Sequence, residues 1–168
     1  LPFGGAAPML RITGRVKELI ITAGGENVAP VPIEDQLKTL LPGISTAVLI
    51  GDKLKFLSVL FTLKQQTNET TGSFDDVLIG AAAQVNPTVK TALEAAKDAK
   101  WTATCQTAID TYNTKHAVSA AQKIQKFAIL ERDFSQVTGE LTPTLKLKRA
   151  VLLEKYAHVL NKLYGSEN

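Results

Sequence analysis

The stretch GELTPTLKLKRAVLLEKY, Gly139 to Tyr156, sets three cations, Lys146, Lys148 and Arg149, between a proline and an apolar-periodic run. A helix start carries partial positive charge, so each cation there is unfavourable by about 0.3–1 kcal/mol. A break with a local rule of this kind tends to mark a working site. Three chemistries suit the residue types: a solvated lysine-rich helix start, a patch that attracts phosphates, or one lysine presented on a Pro-Thr loop to an active site built elsewhere. Spacing does not choose among them. The interleaved aromatics or long basic stripe of a nucleic-acid surface are absent, and no nucleic-acid partner is expected.

A second stretch, GRVKELIITAGGENVAPVPIE, runs from Gly14 to Glu34. Gly24-Gly25 follows a short apolar run and exposes bare backbone where another molecule can approach closely. Neither a G-x-G-x-x-G nor a G-x-x-x-x-G-K-[ST] pattern occurs, so a phosphate loop is not expected. The remaining reactive types are scattered. His116 and His158 lie far apart, and Cys105 has no His or Asp signature near it. No metal site or nucleophilic triad is expected, and Trp101 and Cys105 read as core.

These residues need a scaffold. Residues 1–9, within LPFGGAAPML, read as an irregular lead-in or remnant, and the chain as a piece cut from something longer. LIIT is a strand signal and GGEN a turn. Pro30 and Pro32 open a helix with Ile33, Leu37, Leu40 and Leu41 on one face and Glu34 and Asp35 in its first turn, ended by Pro42-Gly43. STAVLIGDKLKFLSVLFTLK reads as two strands around GDK. Ser73 is expected to cap a helix, with Asp75 and Asp76 in its first turn, running to Asn86-Pro87. Two further helices are expected from Thr88 to about Lys100 and from Thr102 to about Gln122. KIQKFAILERDF is a strand candidate. The tail reads as one helix with Leu152, Tyr156, Val159, Leu160 and Leu163 on one face. The expected architecture is α+β: a small β-sheet with a hairpin packed by helices, and a helical insert at about 70–122.

The 168 residues suffice for one domain with its own core. The formal net charge of +3 arises wholly after residue 140, where Lys146, Lys148, Arg149, Lys155 and Lys162 outnumber Glu154 and Glu167. The basic character is therefore local. A lone cysteine permits no internal disulfide and suits a reducing, cytoplasmic setting. No apolar run approaches the ~18 residues of a membrane helix. Asn68-Glu69-Thr70 matches a glycosylation acceptor, a pattern short enough to recur by chance.

Taken together, GRVKELIITAGGENVAPVPIE and ILERDFSQVTGELTPTLKLKR resemble the C-terminal domain of the adenylate-forming enzymes, and among them the bubblegum-type long-chain acyl-CoA synthetases. The resemblance runs from Leu10 onward (residues 10–168) and implies a rotating lid domain. It implies a two-step reaction: a fatty acid attacks ATP to give acyl-adenylate and pyrophosphate, and CoA then displaces AMP. ATP, CoA and Mg are implied, bound mainly by an N-terminal catalytic domain outside these residues. By motif match, Lys146 is the lysine of the adenylation step, Arg15 the ribose contact and Lys17 the hinge. Gly25 is the glycine lining the passage for the pantetheine arm of CoA, flanked by Gly24, Glu26 and Asn27. The family's common Thr-Gly-Lys is here Thr-Leu-Lys, with no glycine before Lys146. The resemblance implies a nearly inert isolated fragment, and peripheral association of the full protein with an intracellular membrane. Two rival functions stay open: adenylation of another carboxylate or for a carrier protein, and a non-catalytic binding module of this fold.

Overall fold

The computed structural model describes residues 19–165. The chain opens with β1 (Ile20–Ile21) and β2 (Asn27–Val28), an antiparallel pair around the glycine turn. Pro30 then starts α1 (Pro30–Leu40), where its fixed φ and missing N–H suit the first turn. Because the helix begins at Pro30, Glu34 and Asp35 fall one turn deeper than expected, and no acidic residue lies in the first turn. The buried face of α1 is Pro30, Ile33, Glu34 and Leu37, an i, i+3, i+4, i+7 stripe with a carboxylate inside it.

Strands β3 (Ile44–Ile50) and β4 (Leu57–Leu63) form the expected antiparallel hairpin, pairing Leu49 with Val59 and Ala47 with Phe61. Every residue of β4 is buried, because the sheet is covered on both faces. Leu57, Val59, Phe61 and Leu63 pack with Leu37 of α1 on one side. Leu60 joins Val48, Ile50, Leu130, Phe134 and Leu152 on the other. Each such side chain, fully buried, contributes about 1.5–3 kcal/mol. The two hydroxyls of β4 are answered: Ser58 donates to Tyr164 Oη at 2.9 Å and Thr62 to Asp133 Oδ1 at 2.7 Å.

The segment expected as a helix after Ser73 is instead a strand followed by a short helix. Strand β5 (Gln65–Thr67) pairs with β6 (Phe74–Leu78), and only Ala81–Val85 is helical, as α2. The carboxylates that resemble helix caps are engaged across the chain. Asp76 Oδ1 accepts from Gln65 Nε2 at 3.2 Å and from the Ala92 N–H at 2.9 Å, and Asp75 Oδ1 accepts from Asn68 Nδ2 at 2.9 Å. Asn68 Oδ1 also accepts from the N–H groups of Thr70 and Thr71, closing the β5–β6 turn.

The next two helices are shorter than their sequence pattern. Helix α3 (Ala92–Lys97) starts on a Thr91–Glu94 capping box, and α4 (Ala99–Lys115) starts at Asp98, whose carboxylate accepts from the Trp101 N–H at 3.0 Å. Trp101, Cys105, Ile109 and Tyr112 of α4 enter the first core. Strand β7 (Ile124–Ile129) lies parallel to β4, giving the sheet order β3-β4-β7. The expected single tail helix is two, α5 (Arg149–Lys155) and α6 (Ala157–Tyr164), broken at Tyr156 where φ is −105°. Tyr156, Val159, Leu160 and Leu163 still pack on the second core, so the predicted face survives the break.

Candidate functional site

The lysine loop is a closed structure. A bridge between Leu141 and Leu147 joins its ends, and both leucines pack against the second core. Inside it, the Thr142 N–H donates to the Lys146 carbonyl at 2.8 Å, and the Lys146 N–H donates to Thr142 Oγ1 at 3.0 Å. The Leu145 N–H donates to the Thr142 carbonyl at 2.8 Å, and Leu145 sits at φ 63°. That is the left-handed region glycine enters freely and leucine does not. The position is the one where the common pattern has glycine. Lys146 itself is exposed, and among the described residues no carboxylate pairs with its ammonium. It borders a cavity of about 300 Å³ with Glu34, Lys38 and Thr46.

Two buried glutamates anchor the chain on either side of the loop. Glu140, 1% exposed, accepts from Lys155 Nζ at 3.0 Å and from the Thr138 hydroxyl, while its carbonyl accepts from the Lys148 N–H at 2.7 Å. Glu34, in the buried stripe of α1, takes both arms of the Arg149 guanidinium, at 2.8 and 3.0 Å. Its Oε1 also accepts from the Leu49 N–H at 2.8 Å, an outward group of the edge strand β3.

The three cations of the opening stretch thus separate. Lys146 precedes the helix and faces solvent. Lys148 is exposed and fixed only through its backbone. Arg149, at the first position of α5, is neutralised by Glu34, which removes the conflict with the helix dipole.

The glycine hairpin is stitched to the β3–β4 turn. The Lys53 N–H donates to the Ile21 carbonyl at 2.7 Å, the Ala23 N–H to the Leu54 carbonyl at 3.1 Å, and the Ile21 N–H to Asp52 Oδ1 at 3.0 Å. Gly24, Gly25 and Glu26 are exposed at its tip, with Gly25 at φ 83°. A Cβ at Gly25 would meet no atom of the described chain within 4 Å. The tighter glycine is Gly51, where a Cβ would lie 2.2 Å from Leu57 Cδ2.

Arg15 and Lys17 lie outside the described residues. Among the described ones, the glycine hairpin sits at the β3–β4 turn and Lys146 beside Thr46 and Ala47 farther down β3. His116, just past the end of α4, and His158, on α6, are exposed. Burial pushes the Cys105 thiol up to about 12, so it is no ready nucleophile. Among the described residues no group of three His, Cys, Asp or Glu is set to hold a metal ion. Sequence reading missed Glu34 and Glu140 as holders of the loop. For Glu34 a signal existed, since it interrupts the apolar stripe of α1, and a carboxylate placed there needs a cation.

A family model described as the AMP-binding enzyme C-terminal domain matches residues 17–100. The chain belongs to this family. The curated relatives of this AMP-binding enzyme C-terminal domain include long-chain-fatty-acid–CoA ligase ACSBG2 of Gallus gallus, 48% identical over 163 residues, covering 94% of this chain and 21% of that protein. Long-chain-fatty-acid–CoA ligase ACSBG1 of Rattus norvegicus is 47% identical over 164 residues, covering 94% and 23%. The chain thus spans about a fifth of the length of these relatives. Among solved structures, the adenylation domain of a carboxylate reductase from Mycobacterium chelonae superposes with a TM-score of 0.64 at 20% identity, covering 90% of this chain and 20% of that one. The corresponding domain from Segniliparus rugosus, in complex with AMP and a co-purified carboxylic acid, gives 0.60 at 15% identity, covering 89% and 20%. These two likenesses establish the α+β fold.

Proposed function

We propose that this AMP-binding enzyme C-terminal domain is the lid of a long-chain fatty acid–CoA ligase. In the first half-reaction a carboxylate oxygen of the fatty acid attacks the α-phosphorus of ATP and pyrophosphate leaves. In the second, the CoA sulfur attacks the acyl carbonyl and AMP leaves. The single observation that carries this reading is near-half identity to fatty acid–CoA ligases over 94% of the chain.

Lys146 is assigned to the first half-reaction. Its compact ammonium on a flexible stem, at the mouth of a braced loop, suits contact with the carboxylate and the α-phosphate together. Such a preorganised donor is worth about 2.7–4 kcal/mol at developing charge. The exposed Gly24–Gly25–Glu26 tip is assigned to the pantetheine passage of the second half-reaction. Arg15 is assigned to the nucleotide ribose and Lys17 to the hinge, where backbone torsions swing the lid. Magnesium accompanying ATP is assigned to the N-terminal partner domain of the same protein. The full protein is placed in the cytoplasm, peripheral on an intracellular membrane, because fatty acids partition into bilayers. No described helix is long and apolar enough to cross one.

The test uses the full-length protein. Lys146→Ala is expected to lower ATP–pyrophosphate exchange by about 10²–10³-fold while largely keeping thioester formation from supplied acyl-adenylate. Unchanged exchange would refute the assignment.

A further inference from the structure

Arg149 lines two cavities. One, of about 220 Å³, is walled by Ile20 of the glycine hairpin with Gly51 and Asp52; the other, of about 300 Å³, holds Lys146. Between them its guanidinium is clamped flat against Glu34, with side-chain exposures of 23% and 11%. A two-point arginine–carboxylate contact fixes orientation as well as distance. At this one carboxylate three elements meet: α1, which continues from the glycine hairpin; the edge strand β3, through the Leu49 N–H; and the first residue of α5. Arg149 is three residues beyond Lys146, at the exit of its loop. With Leu147 bridged to Leu141 on the near side, both flanks of Lys146 are anchored to the core.

We infer that Glu34 and Arg149 form a positioning pair that holds the Lys146 loop in register for adenylation, and that Arg149 is not a phosphate-binding cation. Both guanidinium arms face Glu34, and releasing them would strand a buried carboxylate. Partners that orient a working side chain through one contact lower rate about 10- to 100-fold when removed, because displacement of about 1 Å costs that much in a preorganised site.

The inference rests on the assignment of Lys146 proposed above, and the experiment separates the two. In the full-length ligase, Arg149→Met, Arg149→Lys, Glu34→Gln and the Glu34→Gln/Arg149→Met double are compared with Lys146→Ala. Pyrophosphate exchange and thioester formation from supplied acyl-adenylate are both measured. Each single variant is expected to lose exchange about 10- to 100-fold, through kcat rather than the KM for ATP, with Arg149→Lys losing least. Thioester formation is expected to stay within about threefold, and the double to be no worse than the weaker single, as befits one interacting unit. Unchanged exchange in the pair variants, with Lys146→Ala inactive, overturns the positioning role and leaves the lid assignment standing. Unchanged exchange in Lys146→Ala overturns the assignment of Lys146 on which the inference rests. A raised KM for ATP in the Arg149 variants alone, with Glu34→Gln normal, reassigns Arg149 as a nucleotide ligand. Should Arg149→Met not fold, Glu34→Gln and Arg149→Lys carry the same readout. Equal loss of both half-reactions, or failure of all three to fold, reduces the pair to a structural tie and overturns the inference.

Discussion

Leu145 shows how one residue can be placed against its own preference. At φ 63° and 70% exposed, it carries the conformational cost of a left-handed backbone and recovers little by burial. The turn is imposed by the Leu141–Leu147 bridge and the two Thr142–Lys146 hydrogen bonds. Leu145→Gly is therefore expected to stabilise the chain by about 0.5–1 kcal/mol, the relief of strain exceeding the added freedom of the unfolded glycine. Urea unfolding measures it, and a loss of stability would show that the leucine side chain has a packing role. The anomaly around Lys146 was legible in the sequence because charge at a helix start is a local property. Its resolution was not. Glu34 lies 115 residues from Arg149, and no pattern in a single sequence pairs residues at that separation.

At the scale of elements, the glycine hairpin and the lysine loop are each held by neighbours rather than by their own bonds alone. The hairpin hangs on the β3–β4 turn through Lys53, Leu54 and Asp52, and Gly51 lets that turn close over Leu57. The tip at Gly25 has free space around it in this chain, so a side chain there conflicts with its own backbone angle and with whatever docks against it. Gly25→Leu is expected to impair thioester formation more than pyrophosphate exchange, because on the proposed reading only the former passes a ligand over the tip. Equal impairment of the two half-reactions would remove the tip from the CoA passage. Elements whose signals are short-range were legible: α1 from its prolines and leucine spacing, β3 and β4 from apolar runs around GDK, and β7 within the strand candidate KIQKFAILERDF. The strand Phe74–Leu78 was not, since Asp75 and Asp76 beside Ser73 mimic a helix start. Their carboxylates are claimed instead by Asn68, Gln65 and the Ala92 backbone, and such tertiary partners override local propensity.

For the whole molecule, the doubly covered sheet β3-β4-β7 holds the glycine tip and the lysine loop at separate places on one small domain. The first core, with α1 and α4, backs one face; the second, with α5 and α6, backs the other. The glycine tip is fixed to the β3–β4 turn and Lys146 lies beside Thr46 and Ala47 of β3, so on the proposed reading both would move with one sheet. The α+β class followed from alternating strand and helix signals, and the relation to a larger enzyme from two motifs at opposite ends of the chain. The α5–α6 break at Tyr156 had no signal, there being neither glycine nor proline at that point. The central claim is that Lys146 brings a positive charge to two anions held by the rest of the enzyme. A structure of the full-length protein bound to a non-hydrolysable acyl-AMP analogue tests this most directly. In the adenylation orientation, Lys146 Nζ is expected within about 2.7–3.2 Å of the acyl carbonyl or an α-phosphate oxygen; an ammonium directed to bulk water in every lid orientation observed would contradict it.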